Sequence, residues 1–140
     1  MTWITYALLS ALFASLVAIF GKIGIKGVDS NLAVAIRTVI IVIFAWGIVA
    51  LQGNAGDLFK ISKYSYIFII LSAIATGLSW LFYYKALQMG EASRVAPIDK
   101  LSIALTIFLA FIVLGEKPSV GNIVGGVLVT AGVLATVFIK

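Results

Sequence analysis

Cysteine and histidine are both absent from the 140 residues. Their absence removes disulfide frameworks, thiolate chemistry, most zinc sites and every mechanism that needs an imidazole base. Charge is scarce too: Asp, Glu, Lys and Arg make up 11% of the chain, about half the share of a water-soluble domain. Acidic residues number 5 against 10 basic ones, and the basic surplus is scattered rather than gathered in runs. Nucleic acid is therefore excluded as a partner, and dense recognition of anionic lipid has no basis in the sequence.

The chain is instead rich in apolar residues, 63% of the total, with a mean hydropathy of +1.21. A chain this short leaves much of its surface exposed, so one core cannot hide that excess. The consistent medium is a lipid bilayer. Five apolar stretches stand out, at 3–21, 32–51, 66–87, 95–114 and 120–139. Each holds about 20 residues, which at ~1.5 Å per residue spans the ~30 Å hydrocarbon layer. Barrel strands are about half as long and alternate in polarity. The expected fold is an all-α integral membrane protein, a bundle of five transmembrane helices forming a single domain over 1–140. Met1-Thr2 offers no basic n-region, so the first stretch reads as a permanent helix rather than a cleaved signal.

Five crossings put the termini on opposite sides. The N-terminal side then carries Lys60, Lys63 and Lys117, and the other side Lys22, Lys26, Arg94 and Lys140. A difference this small gives the positive-inside rule little to act on; it marginally favours a cytoplasmic C-terminal side and is compatible with insertion in both orientations.

Charges inside apolar spans are the most informative feature, because each costs roughly 2.5–3.5 kcal/mol at the bilayer centre on insertion scales. Arg37, Lys85, Asp99 and Lys100 are such residues, all expected within about 10 Å of one membrane face. In one reading the cations snorkel to the headgroups and Asp99 sits favourably at a helix N-terminus. In the other, Asp99 pairs with Arg37 or Lys85 and leaves positive charge in a polar cavity, so that Arg37, Asp99, Lys100 and Lys85 become substrate or coupling residues. Trp80 and Tyr83 are candidate lining for an amphipathic ligand, whereas Tyr64, Tyr66 and Tyr84 read as interfacial aromatics. Pro97 is expected in the first turn of a helix starting near Val95, where its missing N–H does no harm; a start near Ser93 would make it a break in a gating helix. Gly121, Gly125, Gly126 and Gly132 give the last span a small-residue face for close helix packing, within one protomer or in a dimer.

Tyr84-Lys-Ala-Leu-Gln-Met-Gly-Glu-Ala-Ser-Arg-Val-Ala-Pro97, the long apolar helix ending in Leu114-Gly-Glu116, and the glycine-rich Gly121–Gly132 segment together resemble the C-terminal part of an EamA-type domain of the drug/metabolite transporter superfamily. Arg37, early in the second span, also matches a basic position of that family. The resemblance implies a five-helix unit, usually found twice in one polypeptide as an inverted repeat of ten helices that moves small metabolites by alternating access. A single unit then implies a homodimer, parallel or antiparallel, or a heterodimer with another five-helix chain. Small multidrug-resistance relatives use a first-helix glutamate, and the first span here has no acidic residue. Proton-coupled export of cations is therefore not expected.

The expected function is a secondary transporter of a small organic solute in a multi-pass protein of the cell membrane, the prokaryotic inner membrane above all. The alternative is a non-transporting subunit of a larger membrane complex. An enzyme is not expected, since no nucleophile–base set, paired carboxylates or metal-ligand cluster can be assembled. No cofactor and no metal is expected either.

Overall fold

The computed structural model describes residues 2–139 and, among them, contains helices and turns but no strand. Two compact units divide the chain between Gln88 and Met89. The first contains α1 (Trp3–Gly24), α2 (Ser30–Gln52), a 3-10 segment (Asn54–Lys60) and nearly all of α3 (Lys63–Met89). The second contains α4 (Ala92–Asp99), α5 (Leu101–Val113) and α6 (Val120–Phe138). Counting α4 and α5 as one span, five helical segments among the described residues are long and apolar enough to cross a membrane.

Several helices start earlier than the apolar stretches, because polar residues at their ends satisfy the first free N–H groups. Asp29 caps α2, its carboxylate accepting from the Asn31 and Leu32 N–H groups at 2.9 and 3.0 Å. Ser62 Oγ accepts from Ser65 N–H at 3.1 Å at the start of α3, and Ser119 Oγ from Asn122 N–H at 3.1 Å at the start of α6. Each cap is worth about 1 kcal/mol. Helix ends use glycine in the left-handed region: Gly53 (φ +72°) after α2 and Gly115 (φ +68°) after α5. The Gly-Glu pair that closes the fourth span is thus a helix terminator. Gly115 turns the chain, and the Glu116 N–H reaches back to the Ala110 carbonyl at 3.2 Å.

In the first unit the last turns of α3 are fastened to α1 and to the turn after it. Lys22 Nζ donates to the Leu87 carbonyl at 2.6 Å, and Gln88 Nε2 donates to the Val28 carbonyl at 2.9 Å. The last turn of α3 has no basic residue of its own. Lys22 brings a cation to that carbonyl end, where the helix dipole favours one. Ala18, Gly21, Ile25, Ser30, Val34, Tyr84 and Leu87 are the buried residues of this unit, all near these ends.

Pro97 departs from its expected place. The fourth span begins at Ala92, with Glu91 as N-cap, so Pro97 is interior to α4 rather than in its first turn. Proline cannot donate to the carbonyl four residues back, here that of Ser93, and its ring disfavours a regular helix around it. Two residues later α4 ends and Lys100 forms the turn that joins it to α5, with Lys100 N–H on the Pro97 carbonyl at 2.9 Å. The regular helix is thus interrupted at Lys100, whose backbone stays in the right-handed helical region (φ −73°, ψ −6°), and the span runs on to Val113. Its start lies beside Ser93, the alternative that made Pro97 interior.

Candidate functional site

In the first unit the central feature is the Arg37 guanidinium. Arg37 is the eighth residue of α2, roughly 10 Å along the axis from Ser30. Its carbon Cζ lies 4.3 Å from the Trp80 ring centroid and 4.9 Å from that of Tyr84. Trp80 and Tyr84 are four residues apart on α3 and so share a face. Each desolvated cation–π contact contributes about 1–2 kcal/mol, so together they offset most of the roughly 2.5–3.5 kcal/mol cost of a mid-membrane charge. The rings supply no hydrogen-bond acceptor for the guanidinium N–H groups. Arg37 Nη1 is buried and has no hydrogen-bond partner. A buried charged donor without an acceptor costs more than the about 1–3 kcal/mol of a neutral one.

Tyr84 holds this arrangement against α1. It is buried, and Gly21 provides the space for its ring: a Cβ at Gly21 would lie 3.0 Å from the Tyr84 hydroxyl oxygen. Tyr83 meets Tyr84 edge-on, with centroids 6.2 Å apart. Of the two tyrosines it is Tyr84, expected at the interface, that joins Trp80 beside the cation, and Tyr83 buttresses it. The i,i+4 spacing of Trp80 and Tyr84 was the available signal. Lys85 is exposed, and its ammonium lies 3.4 Å from Gln88 Oε1.

Arg37 lines a groove of about 580 Å³ between α1 and α2. Phe13, Leu16, Val17, Phe20, Ile36 and Ile40 supply much of its wall; Arg37 and Tyr84 are the lining residues with polar side-chain atoms. A mostly apolar recess with one oriented charge is the usual make-up of a small-molecule site.

In the second unit Asp99 and Lys100 stand at the break between α4 and α5, with Lys100 Nζ 3.2 Å from Asp99 Oδ2. The partner found for Asp99 is therefore its sequence neighbour. Both side chains are at least a third exposed. A second groove, of about 530 Å³, runs between α5 and α6 and is lined by Ile107, Phe108, Phe111, Asn122, Gly126 and Thr130, among others. Gly126 receives the Ile107 side chain, whose Cδ1 would lie 3.3 Å from an added Cβ. An added Cβ would meet nothing within 4 Å at Gly125 or Gly132, and only Ser119 Oγ, at 3.6 Å, at Gly121. The glycine-rich helix thus spends Gly126 on packing within the chain. Among the described residues no cluster of three metal-ligating side chains occurs.

The EamA-like transporter family matches residues 1–138. The chain belongs to that family. It is 43% identical over 133 residues to a Sinorhizobium protein named as an uncharacterized transporter in the cobO 3' region, covering 95% of this chain and 94% of the relative. An uncharacterized protein of Methanocaldococcus jannaschii is 30% identical over 101 residues, covering 66% of this chain and 74% of the relative. No solved structure matches. As an EamA-like protein with five apolar helical spans, the chain is a multi-pass membrane protein of a transporter family. The coverage of the Sinorhizobium relative also makes that protein about one five-helix unit long.

Proposed function

We propose that this EamA-like protein is a secondary carrier of a small organic solute in a prokaryotic cell membrane, and that the solute binds in the α1–α2 groove beside Arg37. The observation that carries this reading is that Arg37, which lines an otherwise apolar recess, holds a buried guanidinium nitrogen without an acceptor. A purely structural arginine would be expected to find its acceptor within the fold. Asp99 and Lys100 belong to the same reading as coupling residues. Discontinuous helices beside charged groups recur at transporter sites, and Pro97 loosens this one.

The working form is a dimer that alternates access, either two copies, parallel or antiparallel, or this chain with another five-helix unit. Two observations support it. The Sinorhizobium relative is of single-unit length, and an added Cβ at Gly125 or Gly132 on α6 would meet nothing within 4 Å, which leaves room for a close helix–helix contact.

The test is counterflow in proteoliposomes preloaded in turn with amino acids, carboxylates, amines and sugars. A carrier gives saturable exchange for at least one class. Correctly inserted protein that exchanges none of them would refute transport and leave a non-transporting subunit. Since native cysteine is absent, Gly132→Cys disulfide formation in membranes reports the dimer without background, and a cross-linked band is expected.

A further inference from the structure

We infer that the solute is a monocarboxylate with an apolar body: its carboxylate accepts from the Arg37 guanidinium while its hydrocarbon part fills the groove between α1 and α2. This deepens the carrier reading and rests on it for the word solute, but it concerns binding and can be tested without transport.

The argument begins with sign. Arg37 is the only charged residue on the groove wall, so a bound ion there is an anion. The chain does not supply that anion within the first unit. Asp29 is committed to capping α2, and Asp57 lies 2.7 Å from Lys60 in the 3-10 segment. Two further carboxylates are also taken up beside their sequence neighbours, Glu91 by Arg94 and Asp99 by Lys100.

Charge number follows from the surroundings. A dianion such as a phosphate monoester would need more than one cation, or many donors, to replace its water. This wall offers a single guanidinium and the Tyr84 hydroxyl among aliphatic and phenyl groups. One negative charge against one positive charge leaves the occupied groove neutral, the state a low-dielectric medium favours.

Geometry selects the group. Trp80 and Tyr84 lie 4.3 and 4.9 Å from the guanidinium carbon by ring centroid and offer its N–H groups no acceptor. A planar carboxylate matches the fork of guanidinium donors, and the pairing is directional as well as electrostatic. Arg37 lines the groove, and its Nη1 lacks an acceptor within the fold. The body of the solute then lies along Phe13, Phe20 and Ile40. A cationic solute of the same shape meets a like charge and is rejected.

The experiment measures equilibrium binding of radiolabelled benzoate to the full protein in phosphatidylcholine nanodiscs, with benzamide and benzylamine as competitors of matching shape. Saturable benzoate binding is expected, with the two competitors weaker by about tenfold or more, the equivalent of one charge-assisted hydrogen bond. Arg37→Gln should lower benzoate affinity by a similar factor, and Arg37→Lys should retain part of it. Should Arg37→Gln fail to insert, the competitor series on unmodified protein still decides.

No saturable carboxylate binding, equal binding of benzamide or benzylamine, or undiminished binding by folded Arg37→Gln would overturn the inference. Adding phosphatidylglycerol to the nanodiscs separates the sources of anion. Unchanged benzoate affinity supports a solute site, whereas competitive loss assigns the guanidinium to a lipid headgroup and overturns it. Failures of the two proposals separate cleanly: saturable binding without counterflow removes the carrier, and counterflow of amines alone removes the carboxylate.

Discussion

The contact between Gly21 and Tyr84 yields a sharp energetic prediction, because it sets a helix-propensity gain against a steric cost. Replacing Gly21 by alanine adds one methyl group within α1. In a helix interior that exchange gains at most about 1 kcal/mol. Here the new Cβ would stand 3.0 Å from the Tyr84 hydroxyl oxygen, 3.2 Å from its Cζ and 3.5 Å from Leu87 Cδ1. The ring must retreat by a few tenths of an ångström. Tyr84 is 6% exposed and held by Tyr83 and by the Arg37 guanidinium, so its retreat disturbs neighbours on more than one side. Overpacking of that kind costs about 1–3 kcal/mol. The steric term exceeds the propensity term, and Gly21→Ala should destabilise by about 1 kcal/mol net.

Thermal unfolding of purified protein, followed by circular dichroism, tests the sign. Gly77→Ala is the control, since Gly77 lies in α3 with nothing within 4 Å of an added Cβ; it should raise the melting temperature or leave it unchanged. Tyr84→Phe removes the atom in closest contact. The double variant should therefore recover part of the Gly21→Ala loss, a coupling of about 0.5–1 kcal/mol. Gly21→Ala melting at or above the unmodified protein, or strictly additive single changes, would refute the reasoning.

Three further outcomes follow from local geometry. Asp29→Ala and Ser119→Ala each remove a helix cap and should each lower stability by about 1 kcal/mol, read as a fall in melting temperature; no fall for either would show that other groups cap those helices. Lys22→Met keeps the aliphatic stem but loses the donor to the Leu87 carbonyl, so faster amide hydrogen exchange is expected in the last turns of α3 and nowhere else in that helix. Pro97→Ala restores a donor for the Ser93 carbonyl; it should raise the melting temperature while slowing counterflow, and unchanged exchange kinetics would remove the break from the transport cycle.

The five spans were legible because length and apolar content are the quantities a bilayer selects. Their ends were less so. Hydropathy marks where the hydrocarbon begins, whereas helices run on to the nearest cap, which is why α2 starts at Ser30 behind Asp29 and α3 at Lys63 behind Ser62. The interruption near Pro97 was legible only through the alternative helix start near Ser93, because the fourth apolar stretch is continuous in composition; the signal was Pro97 at the sixth position of a helix that starts at Ala92. Arg37 was singled out by its charge within an apolar span and by its match to a basic position of the family. Its cover was not, because α3 is apolar all round and no periodicity says which face turns toward α2. Only the four-residue spacing of Trp80 and Tyr84 hinted that they, rather than Tyr83, share a face.

The intramembrane charges have reached different settlements, and the difference gives them different roles. Asp99 and Lys100 neutralise each other across 3.2 Å at a helix break, where both remain at least a third exposed. That pair needs nothing further to be tolerated, and it opens as readily as water or a moving helix reaches it. Arg37 has two aromatic ring centroids 4.3 and 4.9 Å from its guanidinium carbon, and its buried Nη1 has no hydrogen-bond partner. Aromatic cover lowers the cost of the charge without cancelling it, so the positive charge persists at the groove wall. A carboxylate in the chain would have silenced that charge permanently; the rings hold it in position while leaving its donors free. If the proposed solute binds there, its charge favours the occupied groove over the empty one.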